Sequence, residues 1–218
     1  MLPPDPPPPA MPRVLPLLTL LLLPLSARAD RGELYTLLEL SPSASRLAAP
    51  STSAGPAWKL LPAGKVLVLR GLTHELLLGG ALGVAYGKDL LFQDAALELP
   101  NGSRPRGRLY EDLLGLSLGA AAAYRYDTGY PVAPVLRAEL GLAGRFFHNR
   151  TFLPANTTVQ IAEPSLTEWT PYSHVALGAE LRLADKWVGA LGLGATRYFQ
   201  GRVPWQVDAF LVIGRIWW

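Results

Sequence analysis

Asp208-Ala209-Phe210-Leu211-Val212-Ile213-Gly214-Arg215-Ile216-Trp217-Trp218 is the stretch on which the reading of the whole chain turns. In an extended strand, alternate side chains share a face. One face here is Phe210, Val212, Gly214, Ile216 and Trp218, apolar throughout; Arg215 stands on the other. A strand of this kind suits two settings, the edge of a soluble sheet or a sheet that meets lipid. The segments before it decide between them.

Working back from this strand, seven more candidate strands precede it: Gly32–Leu40, Trp58–Arg70, Thr73–Tyr86, Leu109–Tyr126, Val132–Phe147, Tyr172–Leu183 and Trp187–Phe199, with Trp205–Trp218 as the eighth. Most supply the ~9–11 residues that a tilted membrane strand needs. The first is short, and Pro62-Ala63-Gly64 interrupts the second. The connections alternate in length. Ser41–Ala57, Gly87–Arg108, His148–Pro171 and Gln200–Pro204 fall on one side, and Gly71-Leu72, Asp127–Pro131 and Ala184-Asp185-Lys186 on the other. Short periplasmic turns opposite longer outer loops are the habit of outer-membrane barrels.

The strand faces point the same way. Val175, Leu177, Ala179, Leu181 and Leu183 lie opposite His174, Ala176, Gly178, Glu180 and Arg182. Leu136, Ala138, Leu140 and Leu142 lie opposite Arg137, Glu139, Gly141, Ala143 and Arg145. One face is large and apolar, the other small or charged. A soluble barrel needs its large apolar residues inside; a barrel in lipid turns them out and keeps the small and charged residues for a narrow lumen. Leu113–Ala123 is also rich enough in Leu and Ala to read as a helix, against which stands its spacing of Gly and Ser. Tyr and Trp fall near the strand ends, where interfacial girdles need them. Phe210, in mid-strand, is the exception.

Composition narrows the class further. The chain has 218 residues and no cysteine, which excludes disulfides and thiolate metal sites. Its net charge of +3 is spread along the chain without a basic run, so no nucleic-acid partner is expected. The 21 glycines and 21 prolines favour strands and turns over a helical bundle. Residues 1–29 read as a Pro-rich start followed by a secretory signal peptide: Arg13, an apolar run over Val14–Leu25, then Ala27-Arg28-Ala29, with cleavage before Asp30 and Met11 as an alternative start. Residues 30–218 then form one all-β domain, an eight-stranded antiparallel up-and-down transmembrane barrel.

The final strand with its terminal aromatic resembles that of bacterial outer-membrane barrels, which the insertion machinery reads; there a glycine usually lies five residues before the last aromatic, and Gly214 lies four before Trp218. Arg70-Gly71-Leu72-Thr73-His74-Glu75-Leu76 resembles a turn found in such barrels, and residues 30–218 as a whole resemble the small OmpA/OmpX-type and OmpW-like members. The resemblance implies a monomer in the bacterial outer membrane, in contact with its lipid. It implies recognition by the barrel assembly machinery through Phe210, Gly214, Ile216 and Trp218.

Eleven charged residues are expected in the lumen: Glu33, Glu39, Arg70, Glu75, Arg125, Arg137, Glu139, Arg145, Glu180, Arg182 and Arg215. An eight-stranded barrel is just wide enough for side chains to fill it. Near-balanced charge then reads as a salt-bridged plug, with Arg137, Glu139, Glu180 and Arg182 as neighbours on adjacent strands. A lipid-modifying enzyme would need a serine beside an activating histidine. Ser173 and His174 are adjacent in sequence and so face opposite ways, and no serine lies two residues after His148. No cofactor is expected, and no two histidines have metal-ligand spacing. The function expected is a non-enzymatic structural or binding barrel with a closed lumen. The alternatives are a lipid-modifying enzyme, a narrow channel and a soluble secreted ligand-binding barrel.

Overall fold

The computed structural model describes residues 32–48, 57–99 and 102–217. The expected leader over residues 1–29 and the terminal Trp218 lie outside them. The elements are β1 (Leu34–Leu47), β2 (Ala57–Gly71), β3 (Leu76–Ala96), β4 (Arg106–Arg125), β5 (Val132–Pro154), β6 (Ile161–Ala162), β7 (Leu166–Ala184), β8 (Trp187–Tyr198) and β9 (Trp205–Trp217). Every pairing is antiparallel and between neighbours. β1 pairs with both β2 and β9, which closes a ring of eight, and the two-residue β6 hangs on the outer end of β5.

The ring turns its leucines outward. Ile213, Leu38, Val66, Leu82, Leu118 and Leu142 stand opposite one another in turn across six strands. Leu82 is 60% exposed, Leu118 66% and Leu193 69%. So continuous a belt of bare leucine is untenable in water and suits the hydrocarbon of a bilayer. Aromatics rim it. Trp187 and Trp217 stand at the short-turn end; Trp58, Trp205 and Trp169 stand at the long-loop end. The soluble alternative fails on this exterior.

Leu113–Ala123 lies within β4, as expected, and not in a helix. Two features differ from the expectation. β2 runs unbroken through Pro62-Ala63-Gly64, and Pro62 stands opposite Pro42 of β1 with both rings on the outer face. On its other side β1 pairs with β9 over Leu34–Leu40 and Ser43–Arg46 but not at Ser41 and Pro42. Proline has no N–H to give a ladder, so the pairing resumes only beyond it. Finally, β1, β3, β5 and β7 extend past the long-loop girdle, so part of what reads as loop in Ser41–Ala57, Gly87–Arg108 and His148–Pro171 is strand. There the strands bulge: Asp89, Asp94 and Asn149 have φ of 50°, 55° and 51°. Asp112 of β4 joins two of these bulges, accepting the Asp89 N–H at 2.8 Å and the Asn149 side-chain amide at 2.8 Å.

Inside, two apolar layers fill the tube. Leu37, Leu67, Leu69, Leu77, Phe210 and Ile216 lie in the short-turn half; Leu61, Phe92, Leu113, Phe147 and Phe152 lie in the long-loop half. The lumen face is therefore less uniformly small than the alternation suggests. Phe210 shows why glycine is needed on its neighbours. A Cβ on Gly178 or Gly192 would run into its ring and into backbone of the adjacent strand. Gly192→Ala is expected to cost about 1–3 kcal/mol through overpacking, read as a lower urea midpoint, whereas Gly80→Ala on the outer face has ordinary room and is expected to be neutral.

Candidate functional site: the charged layers of the lumen

Most of the buried charges of the lumen lie at three levels, with Arg145 outside them. The middle one lies between the apolar layers and holds six titratable groups. Glu139 is the hub. Lys65 Nζ donates to both its oxygens at 2.9 Å, Arg137 Nε lies 3.2 Å from Oε1, and His174 Nδ1 lies 3.3 Å from the same atom. Arg137 also donates to Glu39 and stacks over the Phe210 ring, its Cζ 4.9 Å from the centroid. Lys65 reaches Glu39 at 3.7 Å, and His174 Nε2 lies 3.6 Å from Asp208. A Cβ on Gly194 would strike both His174 and Asp208, so this glycine makes the space they occupy. Three carboxylates thus face one lysine, one arginine and one imidazole, with apolar side chains above and below the layer.

The level at the short-turn mouth is Glu33, Tyr35, Arg125 and Glu180. Arg125 donates to Glu180 at 2.9 Å and to the Tyr35 hydroxyl at 3.1 Å, and Tyr35 donates to Glu33 at 2.6 Å. The third level lies at the long-loop mouth. Glu111, fully buried, receives Arg202 through two bonds, 2.7 and 3.1 Å, and Arg150 at 3.2 Å. Arg202 sits in the 199–204 loop, which is folded inward: its N–H donates to Glu168 at 3.0 Å, its Nε to the Ala48 carbonyl at 2.8 Å, and its guanidinium lies 4.3 Å from the Phe147 ring centre. Glu111→Gln is expected to loosen that loop without unfolding the barrel, seen as faster amide exchange at Arg202 and Ala48.

No protein-family model and no curated protein matches the sequence. Among solved structures, the chain is similar to Neisserial surface protein A, with a TM-score of 0.54 and 15% identity, over 85% of this chain and 99% of that one. It is also similar to Ail, the attachment invasion locus protein of Yersinia pestis, with a TM-score of 0.50 and 9% identity, over 86% of this chain and 99% of that one. The fold is that of a small outer-membrane β-barrel. With its leucine belt it is a protein of the outer membrane, and by the rule for this class the short turns face the periplasm and the long loops the exterior.

In this outer-membrane barrel, Glu33, Glu39, Arg125, Arg137, Glu139, Arg145 and Glu180 are buried in the lumen. Four of the expected residues are placed differently. Arg70 and Arg215 point outward at the periplasmic girdle, where Arg215 lies 4.2 Å from the Trp217 ring centre. Glu75 sits in the turn before β3 and accepts from the Tyr124 hydroxyl at 3.0 Å. Arg182 is exposed at the periplasmic rim, 3.9 Å from Glu33. The expected cluster of Arg137, Glu139, Glu180 and Arg182 is not formed, because the first two belong to the middle level and Glu180 to the periplasmic one.

Of the terminal-signal residues, Phe210, Gly214 and Ile216 face the lumen. Sequence reasoning left out Lys65, Asp208, Glu111, Arg150 and Arg202. Parity could have found the first two, since Lys65 shares a face with Leu67 and Asp208 with Phe210. Glu111, Arg150 and Arg202 lie beyond the bulges or in a loop, where parity fails. His174 lies inward and Ser173 on the outer face. No group of three or more His, Asp or Glu among the described residues is set to hold a metal.

Proposed function

We propose that this barrel is a non-enzymatic structural or binding protein of the outer membrane with a closed lumen. The reading rests chiefly on the middle level, where Glu39 and Glu139 are matched by Lys65 and Arg137 between two apolar layers. A conducting pore keeps its wall charges wet and available to the passing solute; these are spent on one another. The cavities beside this level and in the apolar layer below it measure about 60 and 30 Å³, a size for one or two waters. With Ser173 turned away from His174, the serine and base of a lipid-modifying enzyme do not meet. Assembly through the C-terminal strand by the barrel assembly machinery, and a monomeric state, complete the proposal.

Planar-bilayer recording tests the closed lumen. The wild-type protein is expected to give no steady single-channel current, and sustained current that responds to Lys65→Met would make the barrel a channel. Lipid analysis of cells with and without the protein tests the absence of an enzymatic role: unchanged lipid is expected.

A further inference from the structure

Among the described residues four arginines are buried: Arg125, Arg137, Arg145 and Arg150. Three have a carboxylate of their own, with Arg125 at 2.9 Å from Glu180, Arg137 on Glu39 and Glu139, and Arg150 at 3.2 Å from Glu111. Arg145 forms no ion pair among the described residues, and its Nη1 and Nη2 are buried without a hydrogen-bond partner. Its guanidinium lies on the Tyr198 ring, Cζ 3.6 Å from the centre. Such stacking covers a face of the cation and leaves its edge N–H groups to find acceptors elsewhere. The natural partner would be Glu168, directly opposite on β7. That carboxylate acts on Arg145 through space but makes no ion pair with it, and one of its oxygens accepts the Arg202 N–H. Arginine does not give up its proton, so the charge persists, and a buried charge calls for a counter-charge.

The space beside Arg145 is built to admit one. Arg145 lines a cavity of about 60 Å³ with Ser117, Thr196 and Tyr172. The Tyr172 hydroxyl is also buried, with the Ser117 hydroxyl beside it. It is accommodated by Gly119 and Gly141, where any Cβ would collide with the tyrosine. Around this space stand the guanidinium N–H edge of Arg145 and the hydroxyls of Tyr172 and Ser117, donors of the kind an anion needs. A space of about 60 Å³ takes a few waters or one small ion and is too small for a sugar or a lipid chain. Asp208 and Glu39 on the cavity's other wall oppose a dianion. We propose that this cavity binds one small monovalent anion, a halide, nitrate or short carboxylate, through Arg145 with Tyr172 as second donor.

Bromide tests the site in the refolded barrel. Thermal unfolding is followed as bromide replaces gluconate, an anion too large for the cavity, at constant ionic strength; an anion bound only to the folded state raises the midpoint along a saturating curve. The expected result is a saturable rise in the wild type that is lost in Arg145→Met and needs more bromide in Tyr172→Phe. Crystals soaked in bromide are expected to show an anomalous peak within hydrogen-bonding distance of the Arg145 guanidinium. Equal midpoints in bromide and gluconate, the same bromide response in Arg145→Met, or a cavity with water and no anomalous peak would each overturn the proposal. If Arg145→Met does not fold, the Tyr172→Phe titration and the anomalous peak decide. Neither readout depends on whether the lumen conducts.

Discussion

Glu139→Ala is expected to lower the unfolding free energy of the barrel in lipid vesicles by about 3–5 kcal/mol, the cost of leaving a buried charge without its partner. Glu139 holds Lys65 with both oxygens and also contacts Arg137 and His174. Without it, Lys65 keeps His174 Nδ1 at 3.2 Å and, as its remaining carboxylate, Glu39 at 3.7 Å, which Arg137 already uses. No other carboxylate can move in, because Asp208 lies on the far side of His174. Urea unfolding followed by tryptophan fluorescence reads the effect directly. Glu139→Gln, which keeps the shape and one acceptor oxygen, is expected to lose less than Glu139→Ala. A loss for Glu139→Ala no larger than that of an exposed ion pair, about 1 kcal/mol or less, would mean that water reaches this level, and the closed lumen would fall with it.

Leu177→Arg is expected to cost about 2–4 kcal/mol, as a cation at the bilayer midplane does. Leu177 lies between Leu136 and Leu193 on its neighbouring strands and is 63% exposed on the outer face. Inside a soluble sheet such a position would be a surface site and the change nearly neutral, so one substitution separates the two exteriors. Folding yield into vesicles, scored by the gel shift of the folded barrel, is expected to drop for Leu177→Arg and to hold for Leu177→Phe. Equal yields would place Leu177 away from the hydrocarbon.

Where the sequence could be read, it was read through parity, and where it misled, parity had become ambiguous. On β7, Val175 and Leu177 alternate with His174, Ala176 and Glu180, so the face assignment is plain. On β9 both faces are apolar: Phe210, Val212 and Ile216 point in, while Leu211, Ile213 and Trp217 point out. Arg215 alone seemed to mark the lumen, yet at the membrane rim an arginine can lay its stem along the apolar face and keep its head in water. Arg70 is the same case one strand pair away. The outer ends of β3 and β5 were hidden for a different reason. Beyond the girdle the outer face meets water, and the bulges at Asp89 and Asn149 shift the alternation, so Gly87–Ala96 and His148–Pro154 look like loop. The Glu111, Arg150 and Arg202 cluster is built from such segments, far apart in the chain, and no local pattern announces it.

The break in pairing at Ser41 and Pro42 has a consequence for how the first and last strands come together. Among the described residues that ladder consists of a periplasmic run of seven residue pairs, Leu34–Leu40, and an outer run of four, Ser43–Arg46, with the Ala48–Arg202 bonds beyond it. A ladder with a gap behaves as two zippers rather than one, and either can part without pulling on the other. The shorter, outer zipper is tied at its far end by the Ala48–Arg202 bonds, so transient access from the membrane at the exterior end of this seam would need those bonds to open, while the longer periplasmic run keeps the ring shut.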